Sequence, residues 1–316
     1  MTARADEGAA IAVLEPAPLL MVAVQQKGRG GRPEVQLHAG GQGFWVARMA
    51  AEMGGAPVLC APLGGRAGAL TRALVEMDGV RVDAVECHRS SSVWISTGRD
   101  GDAADVVHTP PPPLDRQEVD RLYSLTVAAG LEAGVAVLTG LSRPAVMPAD
   151  VYRRLAADLM ANGTTVVADL SMDALGPALA GGIDLLKISQ EELVASGRAR
   201  DGSREAALAA MEALRRDGAR AVVVSRAAEP VLAHLGPDVV EILPPRLEPL
   251  NPRGAGDAMT GTLAAGLARG LEAEEVLRLA VAAGALNVTR RGLGTGERRA
   301  VERLAQTVSV APISRA

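Results

Sequence analysis

The run Asn251-Pro252-Arg253-Gly254-Ala255-Gly256-Asp257 carries the residue types and spacing of a reactive centre, and an Ala-rich stretch with helical spacing follows it to about Arg269. Small residues let the backbone come close to a ligand, and the free N–H groups of a helix start attract anions. A carboxylate at that start can take a proton from a hydroxyl held beside the anion. Gly254, Ala255 and Gly256 are therefore a candidate anion hole and Asp257 a candidate general base, together a centre for phosphoryl transfer to an alcohol. The same residues also describe a plain glycine turn whose aspartate stabilises a helix N-terminus. A second motif, Gly40-Gly41-Gln42-Gly43, precedes a helix-like stretch at 44–50. Paired glycines there would let a polar substrate lie against bare backbone.

Both motifs need a frame. Strand-like runs fall at 10–14, 19–24, 57–61, 135–139, 164–169, 185–188 and 219–225. Helical patterns fall at 43–53, 67–77, 115–129, 149–161, 203–217, 255–269 and 273–290. The alternation predicts an α/β fold with a mostly parallel sheet flanked by helices. Residues 81–86, 91–97 and 105–108 follow one another as strands with no helix between them, and 34–38 also looks strand-like. They predict a small accessory sheet, a lid formed by parts of 19–38 and 81–109, on one domain spanning 1–316. Pro110-Pro111-Pro112-Pro113 is stiff and extended, a connector from lid to core.

Composition narrows the function classes. Hydrophobic residues make up 48% of the 316 and aromatics only 2%, so Ala, Leu and Val must build the core. A formal net charge of -4, with no basic stripe interleaved with aromatics, argues against nucleic acid. No run reaches the ~18 apolar residues of a membrane helix. The stretch 9–24 lacks a cationic start and is interrupted by Glu15, Pro16 and Pro18, so it reads as two short strands rather than a leader. Cys60 and Cys87 form no CxxC pair and fit a cytoplasmic protein with ordinary thiols. There is no GxxxxGK[ST] loop, no HExxH and no GxSxG, and the four histidines do not pair at ligand spacing. Gly292-Leu293-Gly294-Thr295-Gly296 follows a helix rather than a strand and reads as a turn. Lysine is nearly absent, with only Lys27 and Lys187 among 33 basic residues.

The two glycine motifs, in this order and at this separation, resemble the paired signatures of the ribokinase/PfkB carbohydrate-kinase family. Four landmarks between them fit as well. Thr139-Gly140 resembles the family's Ser-Gly-Ser-Leu-Pro turn, and Ala168-Asp169-Leu170-Ser171 its Asp-x-Ser segment. Lys187-Ile188-Ser189-Gln190-Glu191-Glu192-Leu193 resembles Lys-Pro-Asn-x-x-Glu-Leu, and Val222-Val223-Val224-Ser225 the strand leading to the nucleotide. The match spans roughly residues 10 to 308 and is most similar to the phosphofructokinase/tagatose-6-phosphate kinase branch.

The resemblance implies a ribokinase-like three-layer α/β/α sandwich with a small β-sheet lid, and an ATP- and Mg2+-dependent kinase acting on a sugar, sugar phosphate or sugar-like metabolite. It implies Asp257 as base and Gly254, Ala255 and Gly256 as anion hole. Gly40, Gly41, Trp45, Arg89 and Lys27 fall on the acceptor side. Lys187, Ser189, Glu192, Ser225 and Arg253 fall on the ATP side, with Glu192 organising magnesium indirectly, through water. It also implies a homodimer formed through the lid.

The departures from the family cluster. Glu15-Pro16-Ala17-Pro18-Leu19 stands for Asn-Pro-x-x-Asp, Trp45 for an asparagine, and Leu141 for a substrate-side serine next to Ser142. A more apolar acceptor pocket follows, in which a hexose phosphate loses hydrogen bonds worth ~1 kcal/mol each or more. The Ser-x-Gly-x-x-Gly loop reads Ser225-Arg226-Ala227-Ala228-Glu229-Pro230, without either glycine. Ser189 replaces the motif asparagine, and Pro252-Arg253 replaces Thr-Thr or Thr-Val before the anion hole, with proline removing one N–H donor. These losses leave open the alternative of a catalytically impaired member that binds a metabolite or a protein.

Overall fold

The first strand, β1 (Ala9–Leu14), is apolar on both faces: Ile11 and Val13 join one buried cluster, Ala12 and Leu14 the other. That two-sided burial is the mark of a parallel strand inside a sheet covered by helices on both sides. The structure, a computed structural model, describes residues 8–26, 32–99, 102–140, 146–170, 172–235, 238–251, 253–290 and 293–313. Lys27, Leu141, Ser142, Ser171, Pro252 and Gly292 lie outside them.

From β1 the chain runs through β2 (Leu19–Gln26), β3 (Pro33–Gly40), α1 (Gln42–Glu52), β4 (Gly55–Gly64), α2 (Gly65–Met77), β5 (Arg81–Cys87), β6 (Ser92–Arg99) and β7 (Asp102–His108). Then come α3 (Arg116–Ala133), β8 (Val135–Thr139), α4 (Asp150–Ala161), β9 (Thr165–Asp169), α5 (Met172–Gly181), β10 (Ile183–Ser189), α6 (Gln190–Ala195), α7 (Arg204–Arg216) and β11 (Ala219–Arg226). The chain closes with β12 (Glu229–Leu235), β13 (Asp238–Leu243), α8 (Ala255–Ala268), α9 (Ala273–Asn287), α10 (Arg298–Ala305) and β14 (Ser309–Pro312).

Ten strands form the central sheet in the order β14-β13-β12-β11-β10-β9-β8-β1-β4-β5. The seven from β11 to β5 are parallel, and β12 to β14 add an antiparallel edge. Helices α1, α8, α9 and α10 bury their apolar faces in one core, and α3, α4, α5 and α7 in the other. This is the three-layer sandwich the sequence predicts. After β1 the chain builds outward through β4 and β5, then returns to lay β8 on the other side of β1. The order therefore reverses between β1 and β8, and the carboxyl ends of these strands flank the crevice where such sheets bind ligands.

The second sheet has four strands in the order β3-β2-β6-β7. Paired positions across its strands lie on the same face. Leu37, Val22, Ile95 and Val107 make one cross-strand row, and His38, Met21, Trp94 and His108 the opposite one. The expectation that 81–86 joins this sheet is corrected: β5 pairs in parallel with β4 at the edge of the central sheet. The helix α2 between β4 and β5 makes a crossover unit, and parallel neighbours require such a connection. Residues 109–115, with the four prolines, run as irregular chain from β7 to α3. There the N-cap Asp115 and Glu118 exchange hydrogen bonds in a capping box. Residues 293–296 do more than turn: they pack against the start of α8.

Candidate active site

Helix α8 starts at the Gly254-Ala255-Gly256-Asp257 motif. Gly254 caps it with a left-handed backbone (φ 81), and a Cβ there would lie 3.2 Å from the backbone of Leu293 and Gly294. Glycine meets both demands without strain. The first bond of the helix runs from the Ala258 N–H to the Gly254 carbonyl. The amides of Ala255, Gly256 and Asp257 thus have no partner within the helix and form a nest with the positive end of the helix dipole behind it.

Lys187, at the end of β10, is buried and reaches this nest: a Cβ on Gly256 would overlap its Nζ. The same Nζ pairs with buried Asp169, at the end of β9, across 3.3 Å. Asp169 Oδ2 also accepts a 2.6 Å hydrogen bond from Thr260 Oγ1, one turn into α8. The strand ends and the helix start are locked together by this triad. Burial works against the Lys187 charge, but the carboxylates of Asp169, Glu192 and Asp257 outweigh it and hold its pKa above the ordinary lysine value. The Asp257 pKa also rises, but against its charge: burial first, then the neighbouring Asp169, push its carboxyl up to about 8, with Lys187 partly offsetting them. A carboxyl poised there is suited to proton transfer near neutral pH.

The chain before the nest is tied down from behind. Asn287, fully buried at the end of α9, donates from Nδ2 to the Arg253 carbonyl (2.9 Å) and accepts at Oδ1 from the Thr295 N–H (3.1 Å). Arg48 donates to the carbonyls of Leu293 and Gly294. The glycine-rich turn at 293–296 is thus wedged between α1 and the nest as a prop. The exposed Arg253 side chain crosses to the small sheet, its Cζ 5.6 Å from the Trp94 ring centroid. The Trp94 row therefore looks onto the crevice.

On the acceptor side, Gly40 and Gly41 are buried where β3 meets α1. Met21 and Leu19 pack against Gly40, so Leu19 does present an apolar side chain at this edge. Trp45 leans in part on the core beneath α1. Gln42 bridges two strand ends, donating to the Asp169 carbonyl (3.3 Å) and accepting from the Gly140 N–H (3.1 Å). Arg89 is exposed at the junction of the two sheets and donates to the Pro113 carbonyl at 3.2 Å. On the other side, Ser189 caps α6 and shares a capping box with Glu192. Ser225 lies beside Ser189 in register, at the end of β11. Arg226 is nearly buried and donates to Gln190 Oε1 at 2.6 Å, beside a two-residue turn in which Ala227 takes a positive φ of 51.

The structure thus brings Gly254, Ala255, Gly256, Asp257 and Lys187 together, with Glu192 close enough to act on the Lys187 charge. The Trp45 backbone lies against Gly294, and Arg89 is tied to the Pro113 carbonyl. Sequence reasoning missed the supporting shell of Glu15, Gln42, Thr260 and Asn287. Glu15 had one signal, a lone charge at the end of an apolar strand. Among the described residues, the one trio able to meet around a metal is His88, Asp115 and Glu118, but both carboxylates are engaged in the capping box of α3.

Residues 22–299 match the family model described as pfkB family carbohydrate kinase. The ATP-dependent 6-phosphofructokinase isozyme 2 of Mycobacterium tuberculosis is 30% identical over 285 residues, covering 88% of this chain and 81% of its own. The 1-phosphofructokinase of Vibrio cholerae is 26% identical over 278 residues, with 88% and 87% covered. The crystal structure of phosphofructokinase-2 from Escherichia coli in complex with potassium superposes with a TM-score of 0.82 at 26% identity, covering 94% of this chain and 98% of its own. The paired glycine motifs, the sandwich that sets them face to face and these likenesses agree: this chain belongs to the pfkB family of carbohydrate kinases.

Proposed function

We propose that the protein transfers the γ-phosphoryl group of ATP to a hydroxyl of a sugar phosphate or similar anionic, sugar-like metabolite. The observation that carries this reading is the buried Asp169–Lys187 pair seated against the amide nest, with Asp257 beside it. The nest receives the charge that builds on the phosphoryl oxygens, Lys187 offsets the nucleotide phosphates, and Asp257 takes the acceptor's proton. Asp169, Glu192 and Asp257 all act on the Lys187 charge. Their oxygens do not converge on one point, so Mg2+ would be carried in by the ATP phosphates, with Glu192 acting on it through water. When bound, the ion would neutralise phosphate charge. Ser189, Ser225 and Arg253 border the ATP side. Gly40, Gly41, Trp45 and Arg89 border the acceptor.

The small sheet is the lid of this site, and its outer row supports pairing with a second copy. Leu37 and Val107, at its two ends, are 44% and 45% exposed, and Val35 beside them is 61% exposed. The free thiols Cys60 and Cys87 suit a cytoplasmic setting.

Leu19 stands where the branch carries an aspartate for sugar hydroxyls, so we expect fructose 6-phosphate and tagatose 6-phosphate to be poor acceptors. A crevice without partners for buried hydroxyls bears their desolvation without return. The test is ADP release from MgATP across sugars, sugar phosphates, polyols and nucleosides. Turnover confined to phosphorylated or carboxylated acceptors is expected. Binding of ATP with no turnover on any acceptor would instead make the protein the catalytically impaired, binding form. A kcat/KM for fructose 6-phosphate near the ~10⁴ M⁻¹s⁻¹ of ordinary enzymes would show that Leu19 does not set specificity.

A further inference from the structure

Glu15 directly follows β1 at the point where the strand order reverses, and it is 1% exposed. A buried carboxyl needs partners, and this one has found backbone. Its Oε1 accepts from the Ala17 N–H at 2.9 Å, and its Oε2 accepts from the Phe44 N–H at 3.2 Å, with the Gly43 N–H also bonded to the group. Ala17 lies in the link from β1 to the lid strand β2. Gly43 and Phe44 are the first turn of α1, directly after the double glycine. A Cβ on Gly41 would overlap Oε2, and Gly41 has φ 128, so the glycine makes room for the carboxyl in a backbone state that side chains avoid.

Glu15 in turn acts through its charge on two ionisable groups of other elements, Asp257 of α8 and Tyr152 of α4, both at a distance rather than by hydrogen bond. Buried, and with both oxygens turned to backbone N–H groups, Glu15 is not placed to touch substrate. It works through what it holds.

We propose that Glu15 is the positioning residue of the acceptor side: one buried carboxyl group clamps the lid hinge at Ala17 to the first turn of α1, and so sets where the double-glycine turn stands over Asp257. A shift of the hinge is thereby passed to that turn. The proposal rests on the kinase reading for the word acceptor, but the clamp can be tested without it.

Hydrogen exchange and steady-state kinetics on full-length wild type, Glu15→Gln and Glu15→Leu provide the test. Glutamine keeps the shape and one acceptor oxygen, while leucine keeps neither oxygen. Exchange at Ala17, Gly43 and Phe44 should quicken at least tenfold in Glu15→Leu and by less in Glu15→Gln, with the β9 and β11 amides unchanged. With fructose 1-phosphate and fructose 6-phosphate as acceptor probes, the acceptor KM should rise at least tenfold in Glu15→Leu, be partly rescued in Glu15→Gln, and leave the ATP KM within twofold. Unchanged exchange at Gly43 and Phe44 in folded Glu15→Gln overturns the clamp, as does an equal rise of both KM values. If Glu15→Leu does not fold, Glu15→Gln alone decides. If wild type phosphorylates neither probe, nor any acceptor of the wider panel, the kinase reading fails and the exchange data still judge the clamp.

Discussion

The Asp257 carboxyl is pushed up to about 8 by burial and by Asp169. A base with a raised pKa is idle when protonated, so kcat/KM should climb as pH rises and level off above about 8. Asp257→Asn should cost about 10²–10⁴ in rate with the fold intact. A pH profile that is flat from 6 to 9 in the wild type would remove Asp257 from the role of base. Ala227 sits at φ 51, where the family's loop has a glycine. An L-residue in that region is strained, so Ala227→Gly should raise stability by about 1 kcal/mol, seen as a higher urea midpoint. A lower midpoint would mean that the turn is not strained as described.

Elements matter here through their ends. The carboxyl ends of β1, β8, β9 and β10 deliver Glu15, Thr139, Asp169 and Lys187 to one crevice, and α1 and α8 bring their N-termini to it. Asn287 shows how α9 serves the site without touching it, by holding the Arg253 carbonyl and the Thr295 N–H at once. Replacing it with leucine removes both part-buried hydrogen bonds, at about 0.5–1.5 kcal/mol each. We expect Asn287→Leu to lower the melting temperature and to lower kcat more than tenfold, because the nest loses its anchor. Full kcat in a folded Asn287→Leu would show that the turn at 293–296 is not a prop.

In the whole molecule, the outer face of the lid carries an apolar row with exposed ends. The row of Leu37, Val22, Ile95 and Val107 runs across all four strands, and its ends are exposed. A second copy laid on this face would bury it. Leu37→Glu places a charge at that contact and should turn a dimer into a monomer, read by sedimentation velocity. A wild type that sediments as a monomer at tens of micromolar would end the lid-pairing proposal.

Much of this was legible in the sequence because the signals are short-range. The two glycine motifs lie within a few residues of the helices they start, and the α/β alternation is written in local periodicity. Asp169 and Lys187, each in a landmark singled out by the resemblance, lie toward the ends of β9 and β10. Helix α5 was not seen because Gly176 and Pro177 interrupt its pattern. Strand β5 was assigned to the wrong sheet because the absence of a helix after it outweighed the helix before it. Tertiary structure alone decided the support of the site. Thr260 meets Asp169 across 91 residues of chain, Gln42 meets Gly140 across 98, and Glu15 meets Phe44 across 29. Such partners leave no local pattern. They follow from the folding back that sets β8 beside β1 and so brings distant strand ends to one crevice.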